Sequence, residues 1–368
     1  MGVVCSLSGP SSRAGRNLLE GLQACFNYVN EIGGVHGRTV TLMVQDDGEG
    51  SEDAAGRVRE MVKGKLVFSL ASTSGVETTR TLLERGVLGD DVPALVNVAI
   101  SRSLFSPFRK NIFFLGMPYG DQVTLAIEYL LRKNPAENPR MALLWPGGVF
   151  GDEVEEVFRR VCTHYGLGIA GVERYGEDTY DFSSFLDRLR SGGADHVVVG
   201  ATTWEVTRIM RGSLRMGWSP GFIGLSSTVD PGILSEAGEG ADGYIAVDYL
   251  ARPWERLPGV TLMIGNTEKY YPKKETESLH RCYIVGYVSG LLLCEALERA
   301  GRDLTREGFI KSLETVEDFN THGLAGIIGY GEGSRRSHSR GRVMRFDSAS
   351  GRFSLLTDWS QPMLKPWQ

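Results

Sequence analysis

The chain has 368 residues, of which 42% are hydrophobic, and its formal net charge is −5. That length gives two domains with enough apolar material for a sizeable core. The negative balance, mixed along the chain with no acidic or basic tail, argues against a general nucleic-acid binder, whose phosphate contacts need a basic surface.

Five cysteines are present, Cys5, Cys25, Cys162, Cys282 and Cys294. They form no CxxC and no Cys/His cluster with metal spacing. Their apolar contexts predict buried free thiols, with pairing open in an oxidising compartment and at least one thiol left over. Met1 leads straight into an apolar strand, so the chain is expected to be cytosolic or to have lost a leader. The longest apolar stretch, Tyr283 to Cys294, is too short and glycine-interrupted to span a bilayer.

In chain order, Gly2 to Leu7 reads as a strand, SGPSSRAG as a loop and Asn17 to Ile32 as a helix with Leu18, Leu22, Cys25, Phe26 and Val29 at helical spacing. Arg38 to Gln45 is a strand and Ser51 to Lys63 a helix, with Ser51 as its cap. Leu66 to Leu83, LVFSLASTSGVETTRTLL, reads as strand, hydroxyl-rich turn and helix. Ser72, Thr73 and Ser74 are expected where that helix begins, where free N–H groups and hydroxyl caps can hold an anion. Strands follow at Pro93 to Ala99 and Ile112 to Leu115.

The pattern then restarts. Helices are expected over Asp121 to Arg132, Glu153 to Tyr165, Asp181 to Arg190 and from ATTW to Met216. Strands are expected at Arg140 to Trp145, Leu167 to Glu173, Asp195 to Gly200, Phe222 to Leu225 and Gly243 to Asp248. Strand–helix alternation of this kind means α/β architecture with parallel-sheet cores. Ligands in such sheets bind beyond the carboxyl ends of the strands. VFSLASTSGVETT and VVVGATTWEVTR share one strand, turn and helix pattern; MGVVCSLSGPSS and MALLWPGGVFGD form a looser pair. Both suggest an internal duplication. Trp254 to Tyr271 crosses back, Ser278 to Ala300 is an apolar and therefore buried helix, and Thr305 caps another. Gly323 to Gly333 is a strand-and-turn region. Arg342 to Phe346 and Phe353 to Trp359 form a hairpin.

Taken together these segments resemble the type I periplasmic binding proteins, in the leucine/isoleucine/valine-binding and amide-binding branch. The carriers are SLSGPSSRAGRNLLEGLQACFNYVNEIGGVHGRTVTLMVQDD, GVFGDEVEEVF, DFSSFLDRLRSGGADHVVVGA, GLAGIIGYGEG and GRVMRFDSASGRFSLLTDW, in that order. The resemblance implies two Rossmann-like lobes joined by three crossovers, 1–118 with 250–328 and 119–249 with 329–368, with a ligand cleft between them. It implies an extracytoplasmic protein that captures a small polar solute as the lobes close and delivers it to the membrane subunits of an ABC importer. The alternative is a ligand-sensing regulator or receptor domain of the same fold, cytosolic if so. Neither carries a cofactor, a metal or bond chemistry.

Carried over by position, the resemblance makes Ser72 the serine that takes a ligand carboxylate, with Thr73 beside it. Asn97, Ala99 and Ser101 fall in a loop that binds both ends of an amino acid. Tyr119 and Asp121 lie near a crossover, Phe150 and Tyr287 match ligand aromatics, and Thr202 replaces another. Ser226 stands where amino-acid binders place an acid for the ammonium, and Ala14 where the leucine binder has an aromatic, with Arg13 just before it. A buried ammonium without a charge partner is costly, so a carboxylate without an amine, an amide or a urea-like solute fits at least as well. Asp121 or Asp230 remains a second source of charge.

Each assignment has a plainer competitor. Ser72 to Ser74 can simply cap a helix, Tyr287 and Phe150 can be core aromatics, and Arg13 can be a solvated loop residue. Trp204 can stack on a ligand, although covering a hinge suits it better. The run Arg335, Arg336, His338, Arg340 and Arg342 reads as an exposed loop, since no aromatics interleave it. Enzyme signatures are missing: no GxSxG, HExxH, P-loop or GxGxxG after the first strand.

Overall fold

The computed structural model describes every residue except 10, 49, 74, 75, 98–100, 136, 177, 201, 338, 339 and 366–368, and omits the side chains of 51, 76, 77, 149 and 150 as well. The chain divides into two compact units, Met1–Gly116 with Leu250–His338 and Met117–Tyr249 with Ser339–Gln368. It passes from one to the other at three places.

In chain order the first unit opens with β1 (Gly2–Cys5), α1 (Ser12–Glu31), β2 (Met43–Asp46), α2 (Ser51–Lys63), β3 (Leu70–Thr73), α3 (Val76–Glu84), β4 (Ala94–Val96), α4 (Arg102–Phe105) and β5 (Ile112–Phe114). The second unit follows as α5 (Tyr119–Lys133), β6 (Met141–Pro146), α6 (Val149–Tyr165), β7 (Ile169–Tyr175), α7 (Ser183–Ser191), β8 (His196–Val199), α8 (Thr203–Arg215) and β9 (Gly221–Gly224). A 3-10 turn at Ser226–Thr228, α9 (Pro231–Leu234) and β10 (Ile245–Asp248) complete that run. The chain returns to the first unit with α10 (Pro258–Tyr270), α11 (Arg281–Ala300) and α12 (Arg306–Glu314), then ends in the second with β11 (Arg342–Asp347) and β12 (Arg352–Leu355).

The first unit's sheet is parallel, in the order β2-β1-β3-β4-β5. Strands β6 to β10 repeat that order as β7-β6-β8-β9-β10, again parallel. The expected hairpin β11–β12 then joins β10 antiparallel. Both units are therefore doubly wound with the same strand order, and the repeated segments occupy equivalent places, β3–α3 against β8–α8 and β1–α1 against β6–α6. In this order the switch point lies at the carboxyl ends of the first and third strands.

Periodicity fixes which helix covers which face. α2 and α3 bury Ala54, Val58, Met61 and Leu82 against Val4, Leu70, Val96 and Phe114. On α1, Leu18, Leu22, Cys25 and Phe26 are buried, and the helix packs on α11, which is apolar nearly all round. The two helices touch backbone to backbone. A Cβ on Gly21 would lie 2.0 Å from the Tyr283 carbonyl oxygen, and one on Gly286 2.1 Å from that of Leu18. No larger residue fits either position without separating the helices.

Several boundaries differ from the sequence reading. α1 starts at Ser12, inside the expected loop, because Ala14 is a strong helix former and Gly15 tucks against the Ser6 carbonyl. The N-cap position of α2 is Gly50, not Ser51. Thr305 does cap α12, accepting from the Gly308 N–H at 3.0 Å. Residues 329–337 lie with the first unit, not the second, since Phe114 N donates to the Arg335 carbonyl at 2.7 Å and Ser337 N to the Phe114 carbonyl at 3.0 Å.

The basic run is not an exposed loop. Arg335 is buried, donating to the Lys110 carbonyl at 2.7 Å, pairing with Glu314 and lying 4.8 Å over the Phe113 ring. Arg342, in the second unit, is buried 4.1 Å over the Trp359 ring. His338 lies outside the described residues. The planar guanidinium tolerates this burial because carbonyls, a carboxylate and ring faces replace its water.

Candidate functional site

At the switch point of the first unit, β1 runs out into Ser6 and Leu7 and β3 ends on Ser72 and Thr73. Ser72 and Thr73 are thus the last residues of a strand, not the start of a helix. Ser74 and Ala99 lie outside the described residues. Ser72, Thr73, Asn97 and Ser101 are all buried.

Ser72 and Asn97 bond to each other directly, and a third residue that the sequence did not reveal joins them. Ser72 Oγ donates to Asn97 Oδ1 at 2.8 Å, Asn97 Nδ2 donates to Ser289 Oγ at 2.8 Å, and Ser289 Oγ donates to the Val285 carbonyl at 2.7 Å. The last bond fixes the direction of the chain. Ser289 has one proton and spends it on its own helix, so it can only accept from Asn97. Asn97 must then turn its oxygen to Ser72, which commits the Ser72 proton. Ser72 Oγ is left with acceptor capacity alone. In this arrangement it cannot donate to a carboxylate.

Neighbouring hydroxyls are similarly tied. Thr73 Oγ1 lies 3.0 Å from Thr79 Oγ1, and Ser101 Oγ 2.9 Å from Ser103 Oγ at the start of α4. Ser6 Oγ donates to Asp47 Oδ2 at 2.9 Å. Asp46, at the end of β2, accepts from Leu7 N at 3.0 Å, Ser8 Oγ at 2.7 Å and Gly48 N at 3.2 Å. These bonds, the Leu7 N–H foremost, hold its carboxyl down to about 2. Asp46 thereby fastens the loop after β1.

Tyr287 and Arg13 are not joined to the Ser72–Asn97–Ser289 relay. Tyr287 is fully buried, its hydroxyl accepting from Asn266 Nδ2 on α10 at 2.6 Å. Two residues along a helix turn the side chain by about 200°, so the face of α11 that presents Ser289 to Asn97 turns Tyr287 away. Arg13 is exposed on the first turn of α1; it is Arg16 that grips the Leu7 carbonyl, at 2.7 and 3.0 Å.

In the second unit, Tyr119 and Asp121 form the buried first turn of α5. Gln122, beside them, donates to the Met117 carbonyl at 2.6 Å and accepts from Ser226 N at 2.8 Å, binding the 3-10 turn to α5. Ser226 is buried. Asp230 caps α9, accepting from Gly232 N and Ile233 N at 3.0 and 3.3 Å. Thr202 is exposed and forms a capping box with Glu205, which accepts from Thr202 N at 2.9 Å and Thr202 Oγ1 at 2.8 Å. Trp204 is half-exposed and carries the Arg208 guanidinium 3.8 Å over its ring. Phe150 lies in the first turn of α6, its side chain outside the described part.

Among the described residues no cluster of three or more His, Cys, Asp or Glu could hold a metal, and no helix is long and apolar enough to cross a membrane. A family model described as periplasmic binding protein matches residues 1–351. The chain belongs to the periplasmic binding protein family. Among curated members, the Leu/Ile/Val-binding protein homolog 3 of Brucella melitensis is 24% identical over 203 residues, 54% of this chain and 53% of its own. The match thus spans about half of that relative's length. The homolog 7 of Brucella abortus is 23% identical over 316 residues, 81% of this chain and 76% of its own. Two solved structures share the fold of this family member. A branched-chain amino acid ABC transporter protein from Thermus thermophilus with bound valine superposes with a TM-score of 0.86 at 21% identity, covering 98% of this chain and 95% of its own. A fatty acid ABC transporter substrate-binding protein from Thermomonospora curvata gives 0.85 at 19%, covering 98% and 92%.

Ser289, Asp46 and Gln122 are the polar residues that the sequence did not single out. Ser289 has a signal after the fact, as the one serine in YIVGYVSGLLLC on a buried helix, where a polar group needs a partner. Gln122 has none.

Proposed function

We propose that this protein captures a small neutral solute outside the cytoplasm and presents it to the membrane subunits of an ABC importer, without bond chemistry. The family membership supports capture. The proteins that share this fold are named for cargoes as different as branched-chain amino acids and fatty acids, so the cargo must be argued from this chain's own groups.

The observation that carries the solute class is the direction of the Ser72–Asn97–Ser289 relay. Ser72 Oγ accepts and does not donate, so a solute group resting on it must bring its own hydrogen. Ser226, at the position where an ammonium would want an acid, has its N–H on Gln122 and offers no charge. A neutral N–H donor meets both conditions. A carboxylate fails at Ser72, and an ammonium finds no acid at Ser226. Of the solutes open from sequence, an amide or a urea-like molecule fits best. Backbone groups of the loop after β4 and the hydroxyls of Thr73 and Ser101 are the remaining candidates in the first unit, and Tyr119, Phe150 and Thr202 in the second.

A thermal-shift screen over amides, ureas, aliphatic acids and amino acids tests this, since a ligand bound only by the folded state raises the melting temperature by mass action. Shifts confined to neutral amides or ureas are expected. Shifts confined to amino acids or carboxylates would reverse the assignment.

A further inference from the structure

Two free thiols, those of Cys25 and Cys294, meet. Cys25 on α1 and Cys294 on α11 are both buried in the contact between those helices. A Cβ on Gly290 would lie 2.7 Å from Cys25 Cβ and 2.8 Å from its Sγ. Gly290 and Cys294 are one turn apart on the same helix face, so Cys25 lies over the turn that ends at Cys294. Burial first and the neighbouring Cys294 thiol second push the Cys25 thiol up, in keeping with the two side chains lying side by side. The backbone contacts at Gly21 and Gly286 bring the two helices closer than ordinary packing permits, which is what a bond between two helix-borne cysteines requires. Cys282, on the same helix as Cys294, is about 18 Å away along the axis and cannot compete for it.

We propose that Cys25 and Cys294 form an intramolecular disulfide when the chain folds in the presence of a small disulfide oxidant such as oxidised glutathione. The thiolate of one cysteine attacks an oxidant sulfur, forming a mixed disulfide and releasing one reduced thiol. The thiolate of the other cysteine then attacks the protein sulfur of that mixed disulfide and releases the second. Two electrons pass from the cysteine pair to the oxidant, and the two cysteine protons end on the two released thiols. Burial pushes the Cys25 thiol well up, so Cys25 is a poor nucleophile once the chain is folded and the bond forms while the helices dock.

The bond has a particular place in the fold. The first unit is assembled from two chain segments, α1 in one and α11 in the other, with the whole run of α5 to β10 between them. A Cys25–Cys294 bridge joins those segments and removes loop-closure freedom from the unfolded chain. It also fixes the register of the helix that carries Ser289, the anchor of the relay to Ser72. This inference stands apart from the proposed function, because its test needs no solute.

The full chain is unfolded in denaturant with a reductant, then refolded either in a glutathione redox buffer or in a phosphine reductant. Peptide mapping without reduction is expected to find Cys25 and Cys294 joined in the first sample only. That sample should melt several degrees higher than the second. The Cys25→Ala and Cys294→Ala variants should each melt at the same temperature from either buffer. Free, alkylatable Cys25 and Cys294 in folded protein from the glutathione buffer would overturn the proposal. So would pairing with another cysteine, or a bridged protein that melts no higher than the reduced one.

Discussion

Replacing Asn97 by alanine tests the relay from its middle. The side chain is fully buried, as are those of Ser72 and Ser289, so water cannot replace what is lost. Two hydrogen bonds of 2.8 Å disappear, each worth about 1 kcal/mol net, and the Ser72 proton is left buried without its acceptor, a further penalty of about 1–3 kcal/mol. Asn97→Ala is therefore expected to destabilise the protein by about 3–5 kcal/mol. Ser289→Ala leaves Ser72 satisfied but removes the bonds to Asn97 and to the Val285 carbonyl and leaves an Asn97 N–H buried without its acceptor, so by the same reckoning it should also cost about 3–5 kcal/mol. In the double variant the two losses share a bond and should fall short of additivity. Urea unfolding followed by circular dichroism, with midpoints compared at a common slope, gives all three values. An Asn97→Ala loss below about 0.5 kcal/mol, or full additivity with Ser289→Ala, would refute the coupling.

Three further perturbations are independent of the relay. Asp46 titrates near 2 in the folded protein and near 3.9 when unfolded; its contribution is present above pH ~4 and is lost as pH falls through ~2, so Asp46→Asn should flatten that part of a melting-temperature profile and leave the neutral range nearly parallel. Gly286→Ala forces a methyl to within 2.1 Å of the Leu18 carbonyl; overpacking of about 3 kcal/mol outweighs the gain of about 1 in helix propensity, and urea midpoints should fall accordingly. Thr202→Ala breaks the capping box of α8 and should cost about 1 kcal/mol by the same measurement, with an unchanged slope.

Much of the fold was legible because its signals are local. Strand–helix alternation, the apolar periodicity of α1 and α11, the Thr305 cap and the β11–β12 hairpin each follow from a dozen residues or fewer. The internal pairing of VFSLASTSGVETT with VVVGATTWEVTR survives as the shared strand order of the two units. The site was less legible because its bonds are long-range. Ser72 and Asn97 could be placed at neighbouring strand ends, but Ser289 reaches them from almost two hundred residues away, and its own bond to the Val285 carbonyl decides where the Ser72 proton goes. Tyr287 stands apart from the relay for a related reason: a family position names a helix, whereas the helix face is set by how α11 packs on α1 and α10. Arg335 and Arg342 read as solvated because charge is the visible signal, while their ring and carbonyl partners lie in other segments.

The central claim is that the strand-end groups take a neutral N–H donor in preference to a charged solute. Calorimetric titration with three molecules of one shape tests it most directly: 3-methylbutanamide, 3-methylbutanoate and valine. Saturable binding of the amide, with the other two at least tenfold weaker, is the expected result. Tight binding of valine or of 3-methylbutanoate, with the amide silent, would contradict it.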